Sequence, residues 1–427
     1  MYDVELRRTE RILKNHNALG LLKNRNIYLF GVSDNSRQII QILREFGIEP
    51  RNVIDNDSSK QGSYCSRLKV ISFDEIQKPD SERNLYIIYS AYWREMVPQL
   101  TDKGILKKNI LRLNRKPGLL ILLIRACRGK AYYKTLKRKY GDVPIFVCPY
   151  TGTGDIYLIG TFWDEYTKRN SINDYVFVVI SKACKKVADL FRIKNIEVVK
   201  KKEYVSYLIG YHLYDPKNGK LKILNDCWAQ VHTNQVEWFR GYKGLYFTDL
   251  FRRFVFDLPD NIKPKHPTLR DESEKVNRIF DEYGLIPNRT IILSPYSNTL
   301  SDLPSEFWEK LVSKLVNMGY KVATNCGGKT EPAIKGTAGV FFPLNLAPQV
   351  VNAAGMFVGV RSGFCDIVSG CTAKKIILYD KGNRFYNCSA YEYFSLNKMG
   401  LCEDAIEIEY EHSNKAFEEI IDLIGGC

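Results

Sequence analysis

The sequence lacks the residue spacings that mark several common sites. Its eleven cysteines include no CxxC pair, and its five histidines form neither an HExxH nor an HxH pattern, so no zinc site is expected. It also has no GxSxG segment, the pattern that carries the nucleophile of many serine hydrolases. From these absences we expect a protein that works without a metal or another bound cofactor.

Long apolar segments are missing as well. The run Leu119–Ile124 is far too short to cross a bilayer, and residues 1–15 contain no apolar stretch typical of a secretory signal. The irregular cysteine spacing in a long chain favours reduced thiols, so a cytoplasmic location is expected. A chain of 427 residues, 45% hydrophobic and 26% charged, is typical of a globular protein with more than one domain.

Positive charge is concentrated in one part of the chain. The formal net charge is +15, and residues 102–140 contain thirteen Lys or Arg residues and one acidic residue. The same segment holds the apolar run Leu119–Ile124, a combination typical of a helix that lies on an anionic membrane surface. That interpretation would place the protein at the inner face of the membrane. The alternative is a solvated connecting helix. Nucleic-acid binding is not expected, because the charge surrounds an apolar run.

Apolar strands and amphipathic helices alternate along most of the chain, which predicts parallel α/β sheets. Glycine and proline punctuate the pattern near residues 117, 141 and 287. The predicted organisation is an accessory α/β domain at 1–115, a basic amphipathic linker at 116–140, and two further α/β domains at 141–286 and 287–427.

The turn Gly152-Thr153-Gly154-Asp155 joins a predicted strand to a predicted helix. Because glycine lets a ligand approach the backbone, Gly154 is expected to contact a substrate. Asp155 would lie near the helix N-terminus, where the helix dipole favours an ionised carboxylate. At the carboxyl edge of a parallel sheet, such a carboxylate can act as general base towards an attacking hydroxyl. The alternative role of Asp155 is to cap its helix.

A second strand, turn and helix are predicted around residues 360–366. The backbone N–H groups of Ser362 and Gly363 would point at a diphosphate, with the helix dipole behind them. Arg361 could bind a phosphate through two N–H groups, and Asp366 could hold a ribose or sugar hydroxyl. The alternative is a tight turn that places Asp366 in the first turn of a helix.

Further polar residues complete the predicted ligand sites. Ser297, Asn298 and Thr299 follow the first strand of the last domain, and Lys329 follows the next strand with a charge that suits a pyrophosphate. His232 lies among aromatic residues whose faces suit sugar rings, so it is predicted to contact an acceptor. The alternatives are an ordinary polar loop, a surface lysine and an aromatic core.

The accessory domain has the layout of a dinucleotide-binding fingerprint without most of its glycines. Gly31 follows a predicted strand, but Ser33 and Ser36 occupy the later glycine positions, and Asp55 follows the next strand. Serine side chains would crowd a pyrophosphate. A scaffold or a partner-docking domain is therefore favoured over cofactor binding.

The turns at 152–155 and 360–366 resemble those of the heptosyltransferase-like group of GT-B glycosyltransferases. In that group a Gly-Asp turn carries the proposed base, here Gly154-Asp155, and a Ser/Thr-Gly turn binds the donor diphosphate, here Ser362-Gly363. The resemblance implies an α/β fold with two facing Rossmann-like domains, preceded here by an extra Rossmann-like α/β domain. The chain departs from the group after the Ser-Gly turn, where a histidine is usual and Asp366 stands here.

Two other segments resemble proteins of glycan synthesis. Residues 345–366 resemble capsular or surface-polysaccharide biosynthesis proteins, and residues 31–91 resemble a small Rossmann-like domain attached to several sugar-modifying enzymes. The DxD pair that holds a metal in the other large glycosyltransferase class is missing. Residues 55–57, Asp-Asn-Asp, come nearest to it but lie in the accessory domain.

The resemblance implies a metal-independent glycosyltransferase with Asp155 as its base. It would move a hexosyl or related sugar from a nucleotide-sugar donor to a surface polysaccharide or a lipid-linked glycan. Two alternatives stay open: a transferase of polyol phosphate from a CDP-linked donor on the same fold, and a non-catalytic scaffold of polysaccharide synthesis.

Overall fold

The chain forms two compact units, Met1–Ile124 (unit 1) and Arg125–Cys427 (unit 2). The boundary falls inside the helix Leu119–Tyr140, so the predicted basic linker is helical from residue 119 onward. The computed structural model describes residues 2–58, 60–76, 83–90, 92–113, 119–224, 246–297, 300, 302–327, 331–381, 384–385 and 388–426.

Unit 1 is an α/β domain around a six-stranded sheet. The strand order is β3-β4-β2-β1-β5-β6, in which β3 pairs antiparallel with β4 and the other pairs are parallel. The elements are α1 (Tyr2–Ala18), β1 (Asn26–Phe30), α2 (Asp34–Glu45), β2 (Asn52–Ile54), β3 (Tyr64–Cys65), β4 (Leu68–Ile71), β5 (Asn84–Ile88), α3 (Trp93–Asp102), a 3₁₀ turn (Lys107–Asn109) and β6 (Ile110–Arg112).

The turn after β1 uses the serines that replace the fingerprint glycines. The hydroxyl of Ser33 caps α2 by accepting the backbone N–H of Ser36 at 3.3 Å, and the Ser36 hydroxyl donates to the carbonyl of Gly31 at 2.5 Å. The carboxylate of Asp55 accepts the backbone N–H of Val32 at 2.7 Å. These side chains therefore fix the conformation of the turn itself.

The first part of unit 2 is built on a four-stranded sheet. All its strands are parallel, in the order β10-β7-β8-β9. The elements are α4 (Leu119–Tyr140), β7 (Ile145–Val147), α5 (Thr153–Arg169), β8 (Val176–Val179), α6 (Lys182–Leu190), β9 (Ile196–Val198), α7 (Glu203–Tyr214), β10 (Leu221–Ile223), α8 (Phe247–Asp249) and a π-helix (Leu250–Val255).

The second part of unit 2 is built on a six-stranded sheet. Its strands are parallel, in the order β13-β12-β11-β14-β15-β18, and β16 and β17 form a separate antiparallel pair. The elements are α9 (Ser273–Tyr283), β11 (Thr290–Ser294), α10 (Ser305–Asn317), β12 (Lys321–Asn325), β13 (Ala338–Val340), α11 (Ala347–Ala354), β14 (Gly355–Val360), α12 (Gly363–Val368), β15 (Lys374–Asp380), β16 (Arg384–Phe385), β17 (Cys388–Ser389), α13 (Ala390–Phe394), β18 (Ile406–Tyr410) and α14 (Asn414–Gly425).

One apolar core joins the two sheets of unit 2. Phe146 and Phe162, which belong to the four-stranded part, share a continuous buried cluster with Phe357 and Ile367 of the six-stranded part. Helix α5 supplies much of this cluster, because its residues from Ile156 to Trp163 are all buried. Removal of this apolar surface from water holds the two parts together.

The basic helix α4 packs on α7 through two glycines. A Cβ atom at Gly129 would collide with the carbonyl oxygen of Tyr207, and one at Gly210 would lie 2.8 Å from Cβ of Arg125. The two backbones therefore approach as closely as they do because neither position carries a side chain.

A larger side chain at this crossing should destabilise unit 2. We expect Gly129→Leu to lower the free energy of unfolding by about 1–3 kcal/mol or more, because the added atoms overlap the backbone of α7. Gly219→Leu is the matched control, since a Cβ at Gly219 meets no heavy atom within 4 Å. Urea denaturation compares the two variants, and equal midpoints would show that the close crossing is not required.

Candidate functional site

Each sheet of unit 2 has a point at which the strand order reverses. In the six-stranded sheet this point lies between β11 and β14, and in the four-stranded sheet it lies between β7 and β10. Open parallel sheets bind ligands at such points, in the crevice outside the carboxyl ends of the strands. The predicted turns follow β7, β11 and β14, so the topology places them where ligands are expected.

Asp155 lies in the first turn of α5, at the carboxyl end of β7. Gly152 is the capping residue, and the half-buried Asp155 is the third residue of the helix. Its carboxylate folds back over Gly152, where a Cβ atom would collide with it. This position fits both roles that the sequence allows, the general base and the helix cap.

The two glycine turns touch each other. A Cβ atom at Gly154 would lie 2.7 Å from Cα of Gly363 and 2.6 Å from a carboxylate oxygen of Asp366. A Cβ atom at Gly363 would lie 2.8 Å from the backbone nitrogen of Gly154. Both contacts are closer than any side chain allows, so the start of α5 meets the start of α12 backbone to backbone.

Ser362 and Gly363 form the start of α12 and are partly exposed. Ser362 is the capping residue, but its hydroxyl makes no capping hydrogen bond and lies 3.8 Å from the sulfur of Cys365. The first N–H groups of a helix have no partner within the helix. The predicted binding of a diphosphate by the N–H groups of Ser362 and Gly363 stays a prediction.

Arg361 and Asp366 form a buried ion pair beneath this turn. Each side chain is 4% exposed, and the distance from Nη2 of Arg361 to Oδ1 of Asp366 is 2.6 Å. The guanidinium also donates to the carbonyls of Phe394 at 2.7 Å and Ser362 at 2.5 Å. Its N–H groups thus face protein acceptors. The predicted contacts of Arg361 and Asp366 with a donor stay predictions.

The positive charge of Arg361 and the negative charge of Asp366 stabilise each other. Burial by itself would lower the pKa of Arg361, but the carboxylate of Asp366 raises it above its ordinary value. For Asp366 burial is the larger influence and raises its pKa, while Arg361 opposes the shift. We infer an ionised pair, because the carboxylate receives hydrogen bonds from both terminal nitrogens of the guanidinium.

Ser297 is half-buried in the loop after β11. Its backbone N–H donates to Oδ1 of Asp302 at 2.7 Å, and its hydroxyl accepts the backbone N–H of Leu300 at 3.2 Å. Sequence reasoning missed Asp302, although an aspartate in a Ser-rich loop is a common signal for such a turn. The other predicted ligand residues, Asn298, Thr299, Lys329 and His232, lie outside the described residues.

A second link between the two parts of unit 2 was not predicted. The hydroxyl of Tyr157, on α5, lies 2.9 Å from Nδ1 of His266. The His266 ring in turn covers Gly370, whose Cβ would lie 2.8 Å from it. No local sequence pattern marks this contact, because it joins residues that are far apart in the chain.

Metal sites and membrane-spanning helices are both absent from the described ranges. No group of three or more His, Cys, Asp or Glu residues within them is arranged to hold a metal ion. None of the helices in those ranges combines the length and the apolar composition needed to cross a membrane. The expectation of a metal-independent reaction stays a prediction.

No protein-family model and no curated protein sequence matches the chain. Solved structures are similar to it. ADP-heptose lipopolysaccharide heptosyltransferase II of E. coli is 14% identical, with a TM-score of 0.46, over 66% of this chain and 98% of that one. A family 9 glycosyl transferase of Veillonella parvula is 16% identical, with a TM-score of 0.43, over 66% of this chain and 89% of that one. Os79 of O. sativa, solved with UDP, is 11% identical, with a TM-score of 0.25, over 94% and 91%.

The strand orders carry the fold assignment, because these TM-scores all lie below 0.5. The order β13-β12-β11-β14-β15-β18 is the 3-2-1-4-5-6 order of a Rossmann sheet. The four-stranded sheet, read from β9 to β10, has the order 3-2-1-4 of the first four strands of this pattern, and the start of α5 contacts the start of α12. The predicted fold class is confirmed: two facing Rossmann-like domains in the GT-B arrangement, preceded by a further Rossmann-like α/β domain.

Protonation of His266 should weaken unit 2. Burial lowers its pKa below the ordinary value of 6.5, whereas the unfolded chain keeps that value and binds the proton first as the pH falls. The stability that the neutral ring supplies is thus complete above pH 6.5 and is lost below it. We expect the melting temperature to fall between about pH 7.5 and about pH 5.5, and to fall less in His266→Gln. His412→Gln, a change at an exposed histidine, is the control. If the melting temperatures of the wild type, His266→Gln and His412→Gln depend equally on pH, His266 does not have this role.

Proposed function

We propose that the protein is a glycosyltransferase that takes its sugar from a nucleotide-sugar donor. One observation supports the proposal above the others: the contact of Gly154 with Gly363 brings two ligand-binding sheet edges together. A donor held at one edge would then have its reacting carbon within reach of a carboxylate at the other. The two-sheet fold supplies both groups to one reaction.

The donor diphosphate would bind between the ends of β11 and β14. Backbone N–H groups of Ser362 and Gly363 would stabilise its charge, together with the positive end of α12. In this proposal Ser297, Asn298 and Thr299 lie along the nucleotide, and Lys329 adds a positive charge. Arg361 and Asp366 hold the turn from below, because direct contacts from them would require the buried ion pair to open.

The acceptor would bind at the start of α5 near Asp155, with His232 as the predicted further contact. The predicted contact with the buried Gly154 would require the contact of Gly154 with Gly363 to open. The oxygen of an acceptor hydroxyl attacks the anomeric carbon, a new C–O bond forms, and the bond from that carbon to the diphosphate breaks. The hydroxyl proton passes to the carboxylate of Asp155. The nucleoside diphosphate leaves with its electron pair, and the N–H groups of the α12 turn stabilise its negative charge.

The acceptor would be a surface polysaccharide or a lipid-linked glycan. Helix α4 supports the second of these, because Leu122, Leu123 and Ile124 are exposed at its start and Lys130 and Lys134 are exposed further along. Exposed leucines next to lysines suit the headgroup region of an anionic bilayer. In this proposal the protein works in the cytoplasm, bound peripherally to the inner membrane face.

Nucleoside diphosphates should raise the melting temperature. At a hundredfold excess over its Kd, a ligand that binds only the folded state adds about 2.7 kcal/mol of stability. Ser362→Asp should abolish this effect because its charge would repel the diphosphate, whereas the neutral control Ser362→Asn should largely keep it. Protection by cytidine nucleotides alone would favour the polyol phosphate transferase. No protection by any nucleotide or nucleotide sugar would favour the scaffold and contradict the proposal.

Asp155→Asn should lower the rate of sugar transfer by about a hundredfold or more, while nucleotide binding stays intact. The donor for this assay is the nucleotide sugar that raises the melting temperature. Asparagine keeps an oxygen that can accept a hydrogen bond at the helix start but cannot act as a base, so this change separates the two roles. Glu165→Gln, on the same helix, is the matched control and should keep its activity. Near-normal turnover by Asp155→Asn, measured as release of the nucleoside diphosphate, would refute the assignment of the base.

Binding to membranes should depend on the charge of α4. We expect flotation with anionic phosphatidylglycerol vesicles at low salt, loss of binding at high salt, and no binding to neutral phosphatidylcholine vesicles. Lys130→Glu combined with Lys134→Glu should reduce the bound fraction. If the protein stays in the bottom fraction and does not float with anionic vesicles at any salt concentration, the peripheral location is wrong.

A further inference from the structure

A cavity of about 620 Å³ lies at the far end of α5 from Asp155. Its walls are the second half of α5, the turn at 171–175, the turn at 190–194 after α6, and the segment 265–268. Asp155 and Lys168 are both on α5, and at a rise of about 1.5 Å per residue they are about 20 Å apart along the helix axis. The cavity also adjoins Tyr175, which precedes β8, so it lies at the amino edge of the sheet. It is separate from the glycine turns.

Positive charge dominates the rim of this cavity. Lys168, Arg192, Lys194 and Lys265 line it, with Asp164 as the acidic residue among the lining residues. Asp164 accepts hydrogen bonds from Lys168 at 2.8 Å and Lys265 at 3.2 Å, and the two ammonium groups lower its pKa. One carboxylate therefore serves two lysines. The exposed side chains of Arg192 and Lys194 add two further positive charges that it does not neutralise.

The lining of the cavity also includes an aromatic ring and neutral hydrogen-bonding residues. The half-buried ring of Phe191 lies directly on Gly160, where a Cβ atom would collide with it. Ser171, Asn173 and Thr268 contribute hydroxyl and amide groups to the lining. Aromatic faces and hydroxyl-binding groups suit a sugar ring, and the volume lies within the range of about 300–1,000 Å³ that is usual for small-molecule sites.

We propose that this cavity binds an anionic saccharide, a sugar that carries a carboxylate or a phosphate. Arg192 and Lys194 would pair with the anionic group, and Phe191 would lie against the sugar ring. Binding at this cavity does not depend on the proposed transferase activity. If the protein is a transferase, the cavity would bind a part of an acidic glycan well away from the reacting end. The acceptor chain would then be bound both at the cavity and near Asp155.

Titration of the full-length protein with single sugars tests the proposal without any nucleotide. The probes are glucuronic acid, glucose 6-phosphate, glucose and inorganic phosphate, followed by ligand-observed NMR or calorimetry. We expect at least one of the two anionic sugars to bind about tenfold more tightly than glucose and than phosphate alone. The comparison of glucuronic acid with glucose 6-phosphate shows which anionic group the cavity prefers. Binding of neither anionic sugar, or equal binding of all four probes, would overturn the proposal.

Two pairs of variants locate the binding. Arg192→Ala combined with Lys194→Ala should weaken it about tenfold, whereas Lys275→Ala combined with Arg278→Ala removes the same charges from exposed positions on α9 and should leave it unchanged. Ser171 has a φ of 52°, which both Asp and Asn tolerate. Ser171→Asp should weaken binding by charge repulsion and Ser171→Asn should not. If the cavity variants bind the anionic sugar like their controls, the sugar binds elsewhere. Ser362→Asp, which blocks the proposed donor site, should leave binding of the anionic sugar unchanged.

Discussion

The backbone contact between Gly154 and Gly363 is the constraint on which the rest of unit 2 depends. A single Cβ atom at either position would lie within 2.8 Å of the opposing backbone, so any other residue would push the two sheets apart. With both glycines present, the carboxyl edges of two parallel sheets meet. Each edge is the place where its own sheet binds ligands.

Several interactions support this contact from behind. The buried pair Arg361–Asp366 fixes the turn that carries Gly363, and Asp366 itself faces Gly154. The hydrogen bond of Tyr157 with His266 adds a further link along α5, because the His266 ring covers Gly370 of the six-stranded part. Loss of one partner from a buried ion pair usually costs about 3–5 kcal/mol, because it leaves an unpaired buried charge. The guanidinium of Arg361 also donates to the carbonyl of Ser362, which connects the pair to the turn that the proposed chemistry uses.

Much of the fold could be predicted from the sequence, because alternating strands and helices leave strong periodic signals. The alternation of strands and helices predicted for most of the chain is present in both units, and the α/β class is confirmed. The turn at 152–155 was predicted to precede a helix, but α5 already begins at Thr153, because glycines hide the capping position from pattern analysis. Helix α7 leaves no clean periodic signal because it is rich in tyrosine, and strand β10 is only three residues long.

The site was less predictable than the fold. The sequence correctly indicated that Asp155 and Ser362 follow strands, because that depends on local pattern alone. It could not show that Arg361 turns inward to Asp366, since a buried pair depends on tertiary packing around Phe394. The contact of Gly154 with Gly363 also escaped prediction, as it joins distant parts of the chain.

A crystal structure with a bound nucleoside diphosphate tests the central claim most directly. The account predicts that the diphosphate lies between the ends of β11 and β14, within hydrogen-bonding distance of the backbone N–H groups of Ser362 and Gly363, and that Asp155 faces the open side of the terminal phosphate. A nucleotide found instead at Gly31 in unit 1, with the α12 turn of the same molecule empty, would contradict it.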